Sequence, residues 1–283
     1  MSKDQIASFD KVTGYNLKLL KAGDAGSLTN RLILTKGAPI ADAVFGIDNT
    51  FASLATKSGV IDGNLRATDF GDVCFNYDKN WFASHQIPVP QTIMNLADPK
   101  YKGLTVVENP KLSSTGLSFL AATVAKFGEG GWQTYWQALK ANQVKVDNGW
   151  DAAYYTDFSG SSGKGNYPIV LSYSTSPADE VRSNGQSQTG TILDGCFKQT
   201  EFVGVIKGAK NPAGAQAVVK YLLSTGFQQT FPGAMYMYPI LKGTPIPNSW
   251  SKYATLPTDT FGDTLDFATN RKAWLDAWSS IFA

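Results

Sequence analysis

The sequence predicts an α/β fold in which parallel-rich sheets are covered by helices and the chain is shared between two lobes. Three observations carry this. Helical and strand periodicities alternate along the chain, as they do where helices connect parallel strands. With 283 residues, 43% of them hydrophobic, the chain can build one large α/β domain or two smaller ones with cores of their own. The strand-like run at residues 195–206 is long enough to cross from one lobe to another. In sheets of this kind ligands bind beyond the carboxyl ends of the strands.

The elements follow in order. Ser2 and Gln5 form a capping box, and Ile6, Phe9 and Val12 recur at helical spacing until Thr13 and Gly14 stop the first helix. Residues 15–20 read as a strand and 21–27 as a polar turn. Leu28, Leu32 and Ile33 mark a short helix, which leaves Asp24 at a strand-to-helix junction. Residues 41–47 are an apolar run of strand length, and Asp48 and Asn49 cap a helix that Gly59 closes. Further strands are expected at 73–77, 104–107 and 144–146, with a helix near 92–96. Trp132, Tyr135, Trp136 and Leu139 form a core-facing helical stripe, and a helix is expected over 150–158. Asn211 and Pro212 open a helix that runs to Leu223 and Gly226. An aromatic turn at 235–239 and a terminal helix carrying Trp274, Leu275 and Trp278 complete the chain.

Composition removes several functions. A net charge of +2, with dispersed basic residues, fits neither nucleic acid nor a lipid surface as partner. No run approaches the roughly 18 apolar residues of a membrane span, so a soluble protein is expected. The first residues, Met1 to Gln5, carry no signal peptide; this fits a cytoplasmic protein or a chain from which an export signal has been removed. Cys74 and Cys196 lack metal-ligand spacing, and both lie in strand-like runs, so two buried thiols and a bridge between neighbouring strands are both open. The single histidine, His85, leaves no obvious triad or His-based metal site.

Two stretches carry the chemistry. Ser113, Ser114, Thr115 and Gly116 open a helix, and Ser174, Thr175, Ser176 and Pro177 open what reads as a second one. Unpaired N–H groups at such starts make ready anion sites, although capping is their commonest use. If the two starts converge, hydroxyls and amides would meet on one oxyanion, most plausibly a phosphate. Trp150 follows Asp147, Asn148 and Gly149 at a turn, where its ring can stand over a cleft and stack on a planar or cationic ligand, or simply pack in the core. The glycine-rich run at 160–165 fails the P-loop pattern, because Phe158 and Gly165 stand where Gly and Ser or Thr are required; a mobile surface turn is expected there.

Taken together, GDAGSLTNRL, ADAVFGIDN, FNYDK, LSSTGL, NGW, LSYSTSPA and YMYP, in this order over essentially the whole chain, resemble the thiamine-binding solute receptors of bacterial ABC importers. The resemblance implies the two-lobed periplasmic-binding-protein fold, with a hinge of crossing strands and the ligand enclosed between the lobes. Residues 1–71 and 205–283 would form lobe 1, and 72–204 lobe 2. The ligand would be thiamine or its mono- or diphosphate, without a cofactor, and the partner an ABC transporter permease. An extracytoplasmic location, a monomer and no enzymatic activity are implied as well.

Residue by residue, the resemblance places Asp24 and Ala25 of the first lobe on the ligand, with Ser113, Ser114 and Trp150 of the second. Tyr173, Ser174, Thr175 and Ser176 match a further binding run, and Tyr236 stands where relatives can carry a cleft-lining Trp. Serine hydroxyls and helix-end amides suit a phosphate, aromatic faces suit the pyrimidine and the thiazolium cation, and Asp24 suits a positive charge. The chain departs from the family at its start. Members carry an export signal and a first β-strand, ending in a loop that reaches the site, before the helix that opens this chain. The first lobe is therefore expected to lack a strand of its sheet and to expose unpaired backbone and apolar helix faces. Two other readings remain. One keeps the fold and binds ferric iron through Tyr154 and Tyr155, or another small cation, a polyamine or a phosphonate. The other is a thiamine-degrading enzyme using Cys74 or Cys196.

Overall fold

A computed structural model describes residues 1–161, 164–262 and 265–283. Two members of the glycine-rich run, Ser162 and Gly163, lie outside the described residues. The fold is mixed α/β with seven strands in the order β1-β6-β2-β5-β3-β4, and β7 on β2. The chain divides into two compact units. The first comprises Met1–Phe70 and Thr200–Pro247, the second Gly71–Gln199 and Asn248–Ala283.

In the first unit, α1 (Lys3–Thr13) starts on the capping box of Ser2 and Gln5 and ends at Gly14, whose φ of 75° a residue without a Cβ accommodates. α2 (Ala25–Leu34) starts at Asp24. β1 (Ala43–Asp48) leads into α3 (Ala52–Lys57), and Asp48 holds the Thr50 hydroxyl and the Phe51 N–H at that junction. α8 (Pro212–Leu222) starts on the Asn211 side chain. Val203, Val205, Ala215, Val219, Leu222, Phe227 and Phe231 form the core beneath β1 and the end of β6. The expected strand at 15–20 does not form. The Tyr15 and Leu17 N–H groups donate to the Thr13 and Asp10 side chains, and the segment joins no ladder, without which extended backbone is not a strand.

In the second unit, β3 (Thr105–Glu108) lies between β4 (Lys145–Asp147) and β5 (Ile169–Tyr173), and all three are parallel. Val73 to Tyr77 of β2 pair antiparallel with β5. α5 (Ser114–Phe127) packs on this sheet and α6 (Trp132–Ala141) packs on α5, and all four residues of the predicted aromatic stripe on α6 are buried. α12 (Phe267–Phe282) packs against α6, with Trp278 edge-on to Trp136 at 5.9 Å. The C-terminal segment therefore groups with the second unit, whereas the sequence reading put all of 205–283 in the first lobe.

The run at 195–206 belongs to an 18-residue strand, β6 (Thr189–Ile206), and β2 (Ile61–Asp78) is just as long. Both pass through the two units. The sequence showed only the second half of β2, because Asp62, Asn64, Arg66 and Asp69 give the first half no apolar run. Cys74 and Cys196 form a disulfide in the second unit. Neither is a free thiol, which removes the cysteine-nucleophile reading.

Candidate ligand-binding site

β4, β3 and β5 are parallel neighbours, so the segments that leave their carboxyl ends emerge on one edge of the sheet. Three of the predicted groups sit on these segments. Ser113 and Ser114 follow β3, Trp150 follows β4, and Ser174, Thr175 and Ser176 follow β5. The topology thus brings together on one edge most of the residues that the sequence singled out in this unit.

Ser113 is the N-cap of α5, yet its hydroxyl does not cap the helix. It lies 3.0 Å from the Thr115 hydroxyl, which donates to Glu108 Oε2 at 2.6 Å. A hydroxyl has one proton, so Ser113 must donate to Thr115, and the relay runs from Ser113 through Thr115 to a buried carboxylate. Gly116 makes this possible, since a Cβ there would lie 2.4 Å from the Glu108 carbonyl oxygen. The first amides of α5, which have no intrahelical acceptors, are held at the end of β3 by this close approach. Glu108 supplied no signal in the sequence beyond being the last residue of an apolar strand.

Trp150 opens the three-residue helix α7 (Trp150–Ala152), which continues as a π-helical turn over Ala153–Asp157, where a regular helix to 158 was expected. Its indole Nε1 donates to the Ser172 hydroxyl at 2.9 Å, and that hydroxyl lies 2.9 Å from Ser176 Oγ. One ring face stacks on Tyr154 at 4.9 Å and 13°, and Tyr173 approaches at 6.1 Å. The indole is thus fixed at its nitrogen and on one face. Ser172 was overlooked in the sequence because it lies in the middle of a buried strand, where it reads as packing. The Tyr173 hydroxyl accepts from Gln199 Nε2 at 3.3 Å.

The predicted second helix start differs in the structure. Ser176 to Ala178 form a single 3-10 turn, because the Ser176 hydroxyl turns back to the Tyr173 N–H and Pro177 contributes no amide donor. The N-terminus of the 14-residue α5 therefore lies on this edge with a cluster of buried hydroxyls on the neighbouring segment, where no second long helix starts. Ser174 Oγ is buried and has no hydrogen-bond partner among the described residues.

Charge around the edge is acidic but muted. Burial raises the Asp72 carboxyl to about 6 against the pull of Lys198. Burial and then the nearby Asp157 raise Asp147 to about 6 against Lys145, which bridges both carboxylates. Tyr154 is buried, and its hydroxyl donates to Glu180 at 3.1 Å; Tyr155 is 37% exposed and sits edge-on to it. The two tyrosines do not present a matched pair of phenolates. Among the described residues there is no cluster of three or more His, Cys, Asp or Glu side chains able to hold a metal.

The first unit holds the other three predicted residues. Asp24 is half-buried at the N-terminus of α2 without capping it, and Ala25 is buried in the first turn. Tyr236 ends α10 (Phe231–Met235) with φ 57° and is half-buried. Next to it, Tyr238 of β7 (Tyr238–Pro239) stacks on Phe70 at 5.4 Å.

Two α/β units threaded by two long strands, with hydroxyls and a fixed indole at the carboxyl edge of a parallel sheet, define a solute-binding receptor. The chain belongs to the bacterial extracellular solute-binding proteins, whose family model matches residues 44–259. It is 28% identical to the thiamine-binding periplasmic protein of Escherichia coli (strain K12), over 96% of this chain and 85% of that protein. A solved periplasmic thiamin binding protein superposes with a TM-score of 0.85 at 26% identity, over 99% of this chain and 90% of that one. The iron uptake protein A2 of Synechocystis sp. (strain PCC 6803) is 30% identical, but over only 58% of this chain and 50% of that protein.

Proposed function

We propose that this chain is an extracytoplasmic receptor that captures thiamine or one of its phosphate esters and passes it to an ABC transporter permease, without chemical change to the ligand. One observation carries the reading: Trp150 is held by the Ser172 hydroxyl, itself bonded to Ser176, on the same sheet edge as the N-terminus of α5. An indole pinned in this way offers a flat face to a pyrimidine or to a thiazolium cation, worth about 0.5–2 kcal/mol for the cation. The α5 amides and the Ser114 hydroxyl suit a phosphate. With Ser113 committed to the relay toward Glu108, the phosphate contacts fall to Ser114, the amides and the run from Ser174 to Ser176. Tyr173 is proposed as a further aromatic contact, and Asp24, Ala25 and Tyr236 as contacts from the first unit. The names of the Escherichia coli relative and of the solved thiamin binding protein point the same way, and a buried disulfide suits an oxidising compartment outside the cytoplasm. Nothing in the geometry favours ferric iron, because Tyr154 is committed to Trp150 and Glu180.

The test is titration with thiamine, thiamine monophosphate and thiamine diphosphate, read by tryptophan fluorescence and melting temperature. Quenching together with a raised melting temperature for at least one of the three is expected. Neither effect with any of them would refute the reading.

A further inference from the structure

We propose that Asp72 is a ligand-binding residue, the carboxylate with which the second unit meets the positive charge of the ligand. This assignment rests on the thiamine reading of the site and adds a contact that the sequence did not single out. Asp72 lies on β2 just before the stretch that pairs with β5, and the Ser174 N–H donates to its carbonyl at 2.8 Å. Cys74 is opposite Ser172 in that antiparallel ladder, so Asp72, two residues earlier, is opposite Ser174. Side chains alternate along a strand, and Asp72 therefore shares a face with Cys74 and Ser172. Ser172 is the residue that holds the Trp150 indole. The carboxyl is thus on the same face as the acceptor that fixes this ring, one two-residue repeat further along, about 6.6 Å.

Two polar side chains meet here without partners. Asp72 is 4% exposed, and its carboxyl makes no hydrogen bond among the described residues. Ser174 Oγ, on the neighbouring segment, is buried and makes none either. Lys198 of β6 acts on Asp72 through its charge, and burial outweighs it; β5 offers the neutral Ser174 hydroxyl. A carboxylate taken from water without hydrogen bonds is costly, and a cation brought against it recovers part of the loss. With its carboxyl raised to about 6 by burial, Asp72 is mostly ionised at neutral pH and open to such a partner.

Spacing separates this contact from the anion-binding one. β5 lies between β2 and β3, so Asp72 and the start of α5 are two strand spacings apart, about 10 Å. The α5 amides attract negative charge and the Asp72 carboxylate attracts positive charge. A ligand with a cationic ring and, in its esters, a phosphate satisfies both.

The test compares the native chain with Asp72→Asn, which keeps the shape and removes the charge, and uses thiamine itself so that no phosphate titrates. Affinity is read by tryptophan fluorescence between about pH 5.5 and 8, and proton release by calorimetry at about pH 6 in two buffers of different ionisation heat. Native affinity should weaken below about pH 6, where protons compete with the cation for the carboxylate, and binding there should release about half a proton. Asp72→Asn should bind at least tenfold more weakly at neutral pH, with a flat pH profile and no proton release. Its melting temperature should equal or exceed that of the native chain, which separates a lost contact from a damaged fold. Equal affinities and pH profiles in the two chains, or native binding without proton release, would overturn the assignment of Asp72 while leaving thiamine as the ligand. A native chain that binds no thiamine compound would overturn both.

Discussion

Loss of the Cys74–Cys196 bridge is expected to cost the protein more than any other pair of small changes. The two residues are 122 apart in sequence and both fully buried in the second unit. In the chain-entropy treatment, closing a loop of that length removes about 16 cal/mol/K from the unfolded chain, or about 5 kcal/mol at 25 °C. Measured losses for native bridges run from about 2 to 5 kcal/mol, so the upper half of that range is expected here. At a urea dependence of about 2–3 kcal/mol/M, the unfolding midpoint should fall by about 1.2–2.5 M. The comparison is between the native chain and the Cys74→Ala/Cys196→Ala variant, unfolded in urea and followed by circular dichroism. Function should suffer as well, because Cys74 lies opposite Ser172 in the ladder between β2 and β5, and Ser172 holds the Trp150 indole. Midpoints within about 0.2 M of each other would refute the reasoning.

Three further outcomes follow from the site and its supports. Ser172→Ala leaves the Trp150 indole N–H without its acceptor, a loss of about 1–3 kcal/mol, and should weaken ligand binding at least fivefold in fluorescence titrations while shifting the tryptophan emission. Gly116→Ala sets a Cβ 2.4 Å from the Glu108 carbonyl oxygen; the strain of about 1–3 kcal/mol outweighs the gain of up to about 1 kcal/mol in helix propensity, so thermal stability and affinity for the phosphate esters should both fall. Asp48 is raised to about 7 by burial, above its unfolded value of 3.8, so the folded chain holds an extra proton between those limits. Its contribution is fully present at low pH and is lost as pH rises toward 7, at about 1.4 kcal/mol per pH unit. Asp48→Asn should therefore stabilise the chain at pH 8 and not at pH 4, as judged by melting temperatures across that range.

What the sequence revealed and what it hid have physical causes. Helices with a side-chain cap, such as α1 and α8, or with a strongly periodic face, such as α6, were legible because their determinants are local. The hydroxyl run that opens α5 was legible for the same reason. The strand expected at 15–20 was not real, since a strand depends on a partner that local sequence does not encode. The first half of β2 was invisible because its polar residues are tolerated by pairing partners far away in sequence. The Ser113, Thr115 and Glu108 relay joins a strand end to a helix start across a glycine contact, and the Trp150, Ser172 and Ser176 network joins two crossovers. Single residues show neither. The second predicted helix start failed on one detail, the Ser176 hydroxyl turning inward before Pro177.

The identity of the ligand is tested most directly by competition. The protein is incubated with equimolar thiamine, thiamine monophosphate, thiamine diphosphate and ferric citrate, then weighed by native mass spectrometry. A single adduct with the mass of thiamine or of one of its esters, lost in the Trp150→Ala variant, is the predicted result. An iron adduct alone, or no adduct at all, would contradict it.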